Sequence, residues 1–370
     1  MEKRERVGRR IKKQILEPRA KMLEPRFNKF SLLILSTVVL LASCNNNNKT
    51  NDTTPVEPKK EVAVNPPAFN SDSAYAYTQK QVDFGPRDMN SKAHDACGKW
   101  LIAKIKTLAD TVYIQNFDVK AFDGKTLKCT NIIASFNPKA TTRILLTSHW
   151  DCRPWADMDK VDRNKPILSA SDGASGCATL MEVARAIKSK PESIGVDIFF
   201  NDAEDYGYTS TLSDLVKKKT DGDMEDTYCL GAQYWCKNPH VPGYKADFGV
   251  LLDMAAGHNA VFTRDGTSSF NAGWVQDLIW GNGQALGFSN FFSNQNTPAL
   301  TDDHYYINQL TKIPTIDIIA YDGNSPSHIF PDYWHTHNDN MSVIDKNTLD
   351  AVGKTLLYTI YKYDAEHKGQ

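Results

Sequence analysis

The sequence predicts an α/β protein, a three-layer αβα sandwich built on a mostly parallel, twisted central sheet. Three observations carry this expectation: runs rich in β-branched and aromatic residues, amphipathic helical repeats between them, and apolar character on both faces of several runs. The strand candidates are 112–119, 130–136, 143–148, 196–201, 248–253 and 313–319. Ile144, Leu145 and Leu146 are consecutive apolar residues, as are Ile198, Phe199 and Phe200. Side chains alternate across a strand, so such runs leave neither face for water and suit a sheet covered by helices on both sides. The helix candidates are 95–108, where Trp100, Leu101, Ile105 and Leu108 share a stripe, then 174–187 and 349–361. Strands interleaved with helices of this kind stack in three layers. In such sheets ligands gather where the strands' carboxyl ends meet the following loops.

The N-terminal part belongs to a different regime. A basic stretch ends near Lys29, an apolar run covers 30–41, and Leu41-Ala42-Ser43-Cys44 closes it. The run has the length of a signal-peptide core and is short for a membrane span. Its ending resembles the lipobox of bacterial lipoproteins, which implies a signal peptide over 1–43, a possible true start at Met22, and a lipid on Cys44. Residues 45–67 are mostly Asn, Thr, Pro, Lys and Glu and read as a disordered tether, so 44–70 is expected to link the lipid to one domain at 71–370. Asn45 stands where an Asp often favours inner-membrane retention, which tilts the expected location toward the outer membrane of the cell envelope. Six further cysteines, Cys97, Cys129, Cys152, Cys177, Cys229 and Cys236, would lie in a compartment that permits disulfides, but their spacing fixes no connectivity.

Charge selects no partner. Lys and Arg total 43 against 44 Asp and Glu, so the summed charge gives no reason to expect nucleic acid or an acidic surface as partner. Function has to come from the strand ends. The run 143–148 leads into His149-Trp150-Asp151, and Ser171-Asp172-Gly173 opens a helix. The run ending at Asn201 delivers Asp202-Ala203-Glu204-Asp205, the run after Phe248 delivers Asp253, and Tyr333-Trp334-His335-Thr336-His337 follows a Pro-punctuated loop. A single Asp at a strand end is ordinary capping or turn chemistry. Five acidic or histidine placements converging on one crevice must be solvated, paired or bound to a cation. Oxygen and nitrogen donors without cysteine suit a catalytic zinc with three protein ligands and an open position.

This ordered set resembles the zinc aminopeptidase and glutaminyl cyclase superfamily over about residues 75–365. Ser148-His149-Trp150-Asp151, Asp302-Asp303-His304 and Trp334-His335-Thr336 lean toward glutaminyl cyclases of the bacterial type. The resemblance implies a zinc-aminopeptidase-like fold that converts the N-terminal Gln of peptides and proteins to pyroglutamate with release of ammonia. It implies one zinc held by Asp172, Asp205 and His335. Glu204 becomes the general acid/base, Asp253 and Asp302 the carboxylates around it, and Trp334, His149 and Asp151 substrate-binding residues. The sequence departs from the family in carrying Asp205 where a Glu is usual, which leaves Asp202 or Glu204 open as the ligand. It also carries Ser148 where animal cyclases have a cysteine paired to the equivalent of Cys177, so that disulfide is not available.

Bland readings apply elsewhere. Trp155 is expected to pack and Trp235 to lie in the core; His337 rivals His335 but stands outside the Trp-His-Thr frame. His240, His258, His328 and His367 receive no role, and Gly173-Ala174-Ser175-Gly176 does not meet the nucleophile-elbow pattern. Two other functions fit the same residues: a two-zinc aminopeptidase, in which His149 and Asp253 join the ligands and Asp172 bridges, and a non-catalytic peptide-binding lipoprotein.

Overall fold

The structure is a computed structural model that describes residues 63–220 and 225–368, so the expected signal peptide, Cys44 and most of the tether lie outside the described residues. In chain order the elements are α1 (Ser71–Val82), α2 (Lys92–Lys106), β1 (Thr111–Lys120), β2 (Thr126–Phe136), β3 (Arg143–His149), α3 (Gly176–Ser189), β4 (Gly195–Asn201), α4 (Leu230–Lys237), β5 (Phe248–Asp253), β6 (Phe262–Asp265), α5 (Gly266–Ala285), β7 (Phe292–Thr297), α6 (Asp303–Thr311), β8 (Thr315–Ile319) and α7 (Lys346–His367).

The main sheet runs β1-β2-β4-β3-β5-β8. Its β1–β2 and β2–β4 junctions are antiparallel, and β4–β3, β3–β5 and β5–β8 are parallel. The sandwich follows from alternation. Ile144, Leu146, Ile198, Phe200, Val250 and Leu252 enter one core with helices α1, α2, α3, α5 and α7, whereas Leu145, Phe199 and Ile133 enter a second core with Trp235 of α4 and Ile307 of α6. Consecutive apolar residues therefore serve opposite layers, as both-face hydrophobicity predicts. A small parallel pair, β6–β7, was not expected from sequence.

The ordered body begins earlier than the expected boundary at residue 71. Val64 packs on the main core, Phe69 is buried in it, and Asn70 caps α1 by accepting from the Ser73 N–H. The residues just before α1 are thus part of the fold rather than tether. All six described cysteines are free, and five are buried.

Candidate active site

The carboxyl ends of β3, β4 and β5 open onto one crevice, and the turns that follow them carry the chemistry. After β4 the chain turns sharply, with Ala203 at φ 53°, and presents Glu204 and Asp205. Before α3, Asp172 lies in a non-helical turn in which Gly173 has φ 90°. A Cβ on Gly173 would sit 2.6 Å from His149 Cε1 and 2.7 Å from its carbonyl oxygen, so only glycine lets this turn pack on the β3 end. His335, with φ 56°, arrives from the loop before α7.

Asp172, Asp205 and His335 are brought together, all buried, with one donor atom from each lying within 4.8 Å of the others. His335 Nε2 is 3.2 Å from Asp205 Oδ1 and 3.9 Å from Asp172 Oδ2, while its Nδ1 sits 3.3 Å from Asp157 Oδ1. Asp205 Oδ2 is buried without a hydrogen-bond partner. A buried carboxylate with one partnerless oxygen, grouped with an imidazole and a second carboxylate, is a donor set of the kind that fits a divalent cation such as zinc. Arg153, fully buried, spans Asp157 and Asp205 through Nε (2.6 Å) and Nη1 (3.2 Å). Asp202 points elsewhere, paired to His94 at 2.8 Å and accepting from the Thr130 N–H at 2.6 Å, so Asp205 is the acid that joins His335.

Glu204 occupies an adjoining acidic corner with Asp302 and Cys229, whose Sγ lies 3.3 Å from Glu204 Oε1 and 4.0 Å from Asp302 Oδ1. Burial first, then the negative fields of Asp302, Asp205 and Asp303, push the Glu204 carboxyl well above the usual range. Burial and Asp253 push Asp302 up to about 6. Behind Asp302, His304 lies 3.5 Å from Asp265 Oδ1 and 3.8 Å from Asp317 Oδ2. Asp317 was missed by sequence reading, although an acid inside the apolar run Ile316-Asp317-Ile318 is itself a signal. Arg153, Asp157 and Asp339 left no such trace.

A cavity of about 280 Å³ exposes this chemistry. Asp172, Glu204, Asp205, Asp253, Asp302, Trp334 and His335 reach it, with Tyr208, Tyr228, Leu300 and Phe330 as further wall. Trp334 stacks on His335 with ring centroids 3.8 Å apart. The expectation that His149 and Asp151 contact substrate needs correction: both are fully buried behind the wall. His149 Nε2 is 3.0 Å from Asp172 Oδ1 and 3.4 Å from Asp253 Oδ1, and its Nδ1 is 3.3 Å from Asp151 Oδ1. Burial opposes its charge, but the adjoining carboxylates of Asp151, Asp172 and Asp253 raise it well above an ordinary histidine. Asp151 instead accepts the Glu204 and Asp205 N–H groups at 3.1 Å each. Trp155 packs against Phe122 and Tyr206, Trp235 lies in the core, and half-exposed His337 pairs with Asp159 away from the site.

The comparisons with known proteins agree with this geometry. The chain is 46% identical to a Bacteroides thetaiotaomicron glutaminyl cyclase solved with N-acetylhistamine, over 80% of this chain and 99% of that one, with a TM-score of 0.75. A structure from the same organism described as a leucine aminopeptidase precursor is also 46% identical, over 81% and 99% of the two chains, with a TM-score of 0.75. The glutaminyl-peptide cyclotransferase of Boiga irregularis is 27% identical over 63% of this chain, and the match spans 65% of that relative's length. The sequence profile of peptidase family M28 matches residues 131–360, a stretch that contains His149, Asp172, Glu204, Asp205, Asp253, Asp302 and His335, and the chain belongs to that family.

Proposed function

We propose that this chain is a glutaminyl-peptide cyclotransferase that closes the N-terminal Gln of peptides and proteins to pyroglutamate. The observation that carries the reading is Glu204, paired with Asp302 in a buried acidic corner, beside the Asp172–Asp205–His335 set in one aromatic-walled cavity. Similarity to a solved bacterial glutaminyl cyclase over nearly its whole length supports it.

Asp172, Asp205 and His335 would hold one zinc, which when bound polarises the side-chain amide carbonyl of the substrate Gln. Glu204 accepts a proton from the α-amine as that nitrogen forms its bond to the amide carbon, and donates a proton to the amide nitrogen as the C–N bond breaks and ammonia leaves. A carboxyl has to sit well above its free value to serve in both directions near neutrality, and burial with Asp302, Asp205 and Asp303 nearby supplies that shift. Trp334 and Phe330 give the substrate an apolar wall that keeps the Gln side chain folded toward its own amine, and proximity of this kind removes most of the entropic cost of attack. The cavity is at the small end of ligand pockets, which suits one or two terminal residues rather than a long peptide.

A specific observation favours a second reading, a two-zinc aminopeptidase. His149, Asp172 and Asp253 also form a group of mutually close donors, and one solved relative carries an aminopeptidase description. Incubation of the protein with Gln-initiated peptides and with aminoacyl anilides separates the two. The cyclase reading requires ammonia release with matching mass loss from the peptides, abolished by chelator; hydrolysis of the anilides with no mass loss would overturn it.

The same proposal places the enzyme in a bacterial envelope, anchored through lipid on Cys44 with the outer membrane as its site. The apolar run 30–41 and the Leu-Ala-Ser-Cys ending support this. Incorporation of a labelled fatty acid should depend on Cys44 and vanish in Cys44→Ala.

A further inference from the structure

Asp339 follows His335 in the same loop and is fully buried. Its two carboxylate oxygens accept from successive backbone donors: Oδ1 from the Ser171 N–H at 2.7 Å and Oδ2 from the Asp172 N–H at 3.0 Å. Its own carbonyl accepts from the Ala170 N–H at 3.3 Å. Three consecutive N–H groups of the turn that carries Asp172 therefore end on one residue of the segment that carries His335.

That turn needs holding. Ser169 has φ 46° and ψ 56°, and Asp172 has φ −84° and ψ 90°. A non-glycine residue in the left-handed region is strained and persists only where its surroundings over-determine it. Arg87, fully buried, draws in the Leu168 and Ser169 carbonyls at 2.8 and 2.9 Å from the other side. The same device recurs after β4, where Asp151 accepts the Glu204 and Asp205 N–H groups beside strained Ala203. In both places an aspartate from a histidine-bearing segment caps the turn that presents a carboxylate.

We infer that Asp339 is a positioning residue for metal binding: it locks the Asp172 turn to the His335 segment, so that two of the three metal-holding groups stand at their working separation before an ion arrives. The inference rests on the metal reading of Asp172, Asp205 and His335. A carboxylate that served folding alone would affect stability without changing affinity for the ion.

The test uses the full chain and zinc alone, with affinity read by competition against a chromogenic chelator and melting temperature read on the metal-free protein. Asp364→Asn is the control. Asp364 is also a buried aspartate that accepts two successive backbone N–H groups, from Ser193 (2.8 Å) and Ile194 (3.1 Å), but it does so at the amino end of β4, a full strand length or roughly 20 Å from the Glu204 turn. Asp339→Asn, which replaces one acceptor oxygen with a donor, is expected to weaken zinc binding about 10- to 100-fold. Asp364→Asn is expected to lower the melting temperature with zinc affinity unchanged. If Asp339→Asn does not fold, Asp339→Glu is read in its place, with a loss of zinc affinity again expected. Zinc held equally tightly by the wild type and the folded Asp339 variant overturns the inference alone; a wild-type chain that takes up no zinc overturns the metal reading and this inference with it.

Discussion

Glu204 and Asp205 are neighbours in sequence yet face different tasks, one toward Asp302 and the other toward His335. Their separation dictates what each substitution should do. Glu204→Gln keeps the shape and leaves Asp172, Asp205 and His335 intact, so it should retain zinc while losing about 10²- to 10⁴-fold in turnover; metal analysis beside single-turnover assays checks both halves. His335→Ala should lose the metal itself, because no other described imidazole stands between Asp172 and Asp205. Asp302→Asn removes a negative neighbour that holds Glu204 up. The Glu204 carboxyl then falls toward its free value, and the acid limb of the pH–rate profile should move to lower pH; an unmoved limb would show that Asp302 does not set it.

At the scale of elements, what the sequence made legible was whatever chain-local chemistry enforces. β3, β4 and β5 were readable because their consecutive apolar residues suit only a strand between two helix layers. The acids and His149 at their ends were readable for the same reason, since a charged residue directly after such a strand has to emerge at the sheet's edge. α5 was not readable: Gly266, Gly273, Gly281 and Gly283 lower its helical propensity, and its backbone breaks at Ala272. β7, Phe-Ser-Asn-Gln-Asn-Thr, carries a single large apolar residue and forms only the small pair with β6. α1 shows only a weak apolar stripe, burying Ala74, Thr78, Gln81 and Val82, and packs with Phe69 on the main core. Asp339 and Asp157 looked like any loop acid, because their roles depend on backbone N–H groups and side chains brought from distant segments. His149 and Asp151 were recognised as site residues, but their burial, which turns them from substrate contacts into supports, exists only in the packed molecule. The Gly173 turn tests this level directly. Gly173→Ala adds a methyl against His149 at a positive φ, and should destabilise by ~1–3 kcal/mol in urea unfolding while weakening zinc binding.

For the molecule as a whole, acid should also act on stability at a histidine outside the candidate site. His240 packs against Tyr113, Trp235 and Tyr244, and its Nδ1 accepts from Trp235 Nε1 at 3.1 Å, so the folded state holds it neutral. Burial lowers it from 6.5 to about 4. Between those values the unfolded chain binds a proton that the folded chain refuses. Stability is therefore complete above pH 6.5 and falls as the pH drops toward 4, by on the order of 1–3 kcal/mol from this residue. His240→Gln should flatten that part of the stability profile, as read by tryptophan fluorescence during urea titration. The described body, with Phe69 and Asn70 already built into it, also implies that a chain starting at residue 60 folds and binds zinc without the preceding residues, and a melting curve of that fragment checks this.

The expectations for zinc binding and turnover depend on Asp172, Asp205 and His335 sharing one ion beside Glu204. The most direct measurement is anomalous scattering at the zinc edge from crystals of the zinc-loaded protein. The account requires a single strong peak among those three side chains; no peak there, or a second peak of equal strength among His149, Asp172 and Asp253, would contradict it.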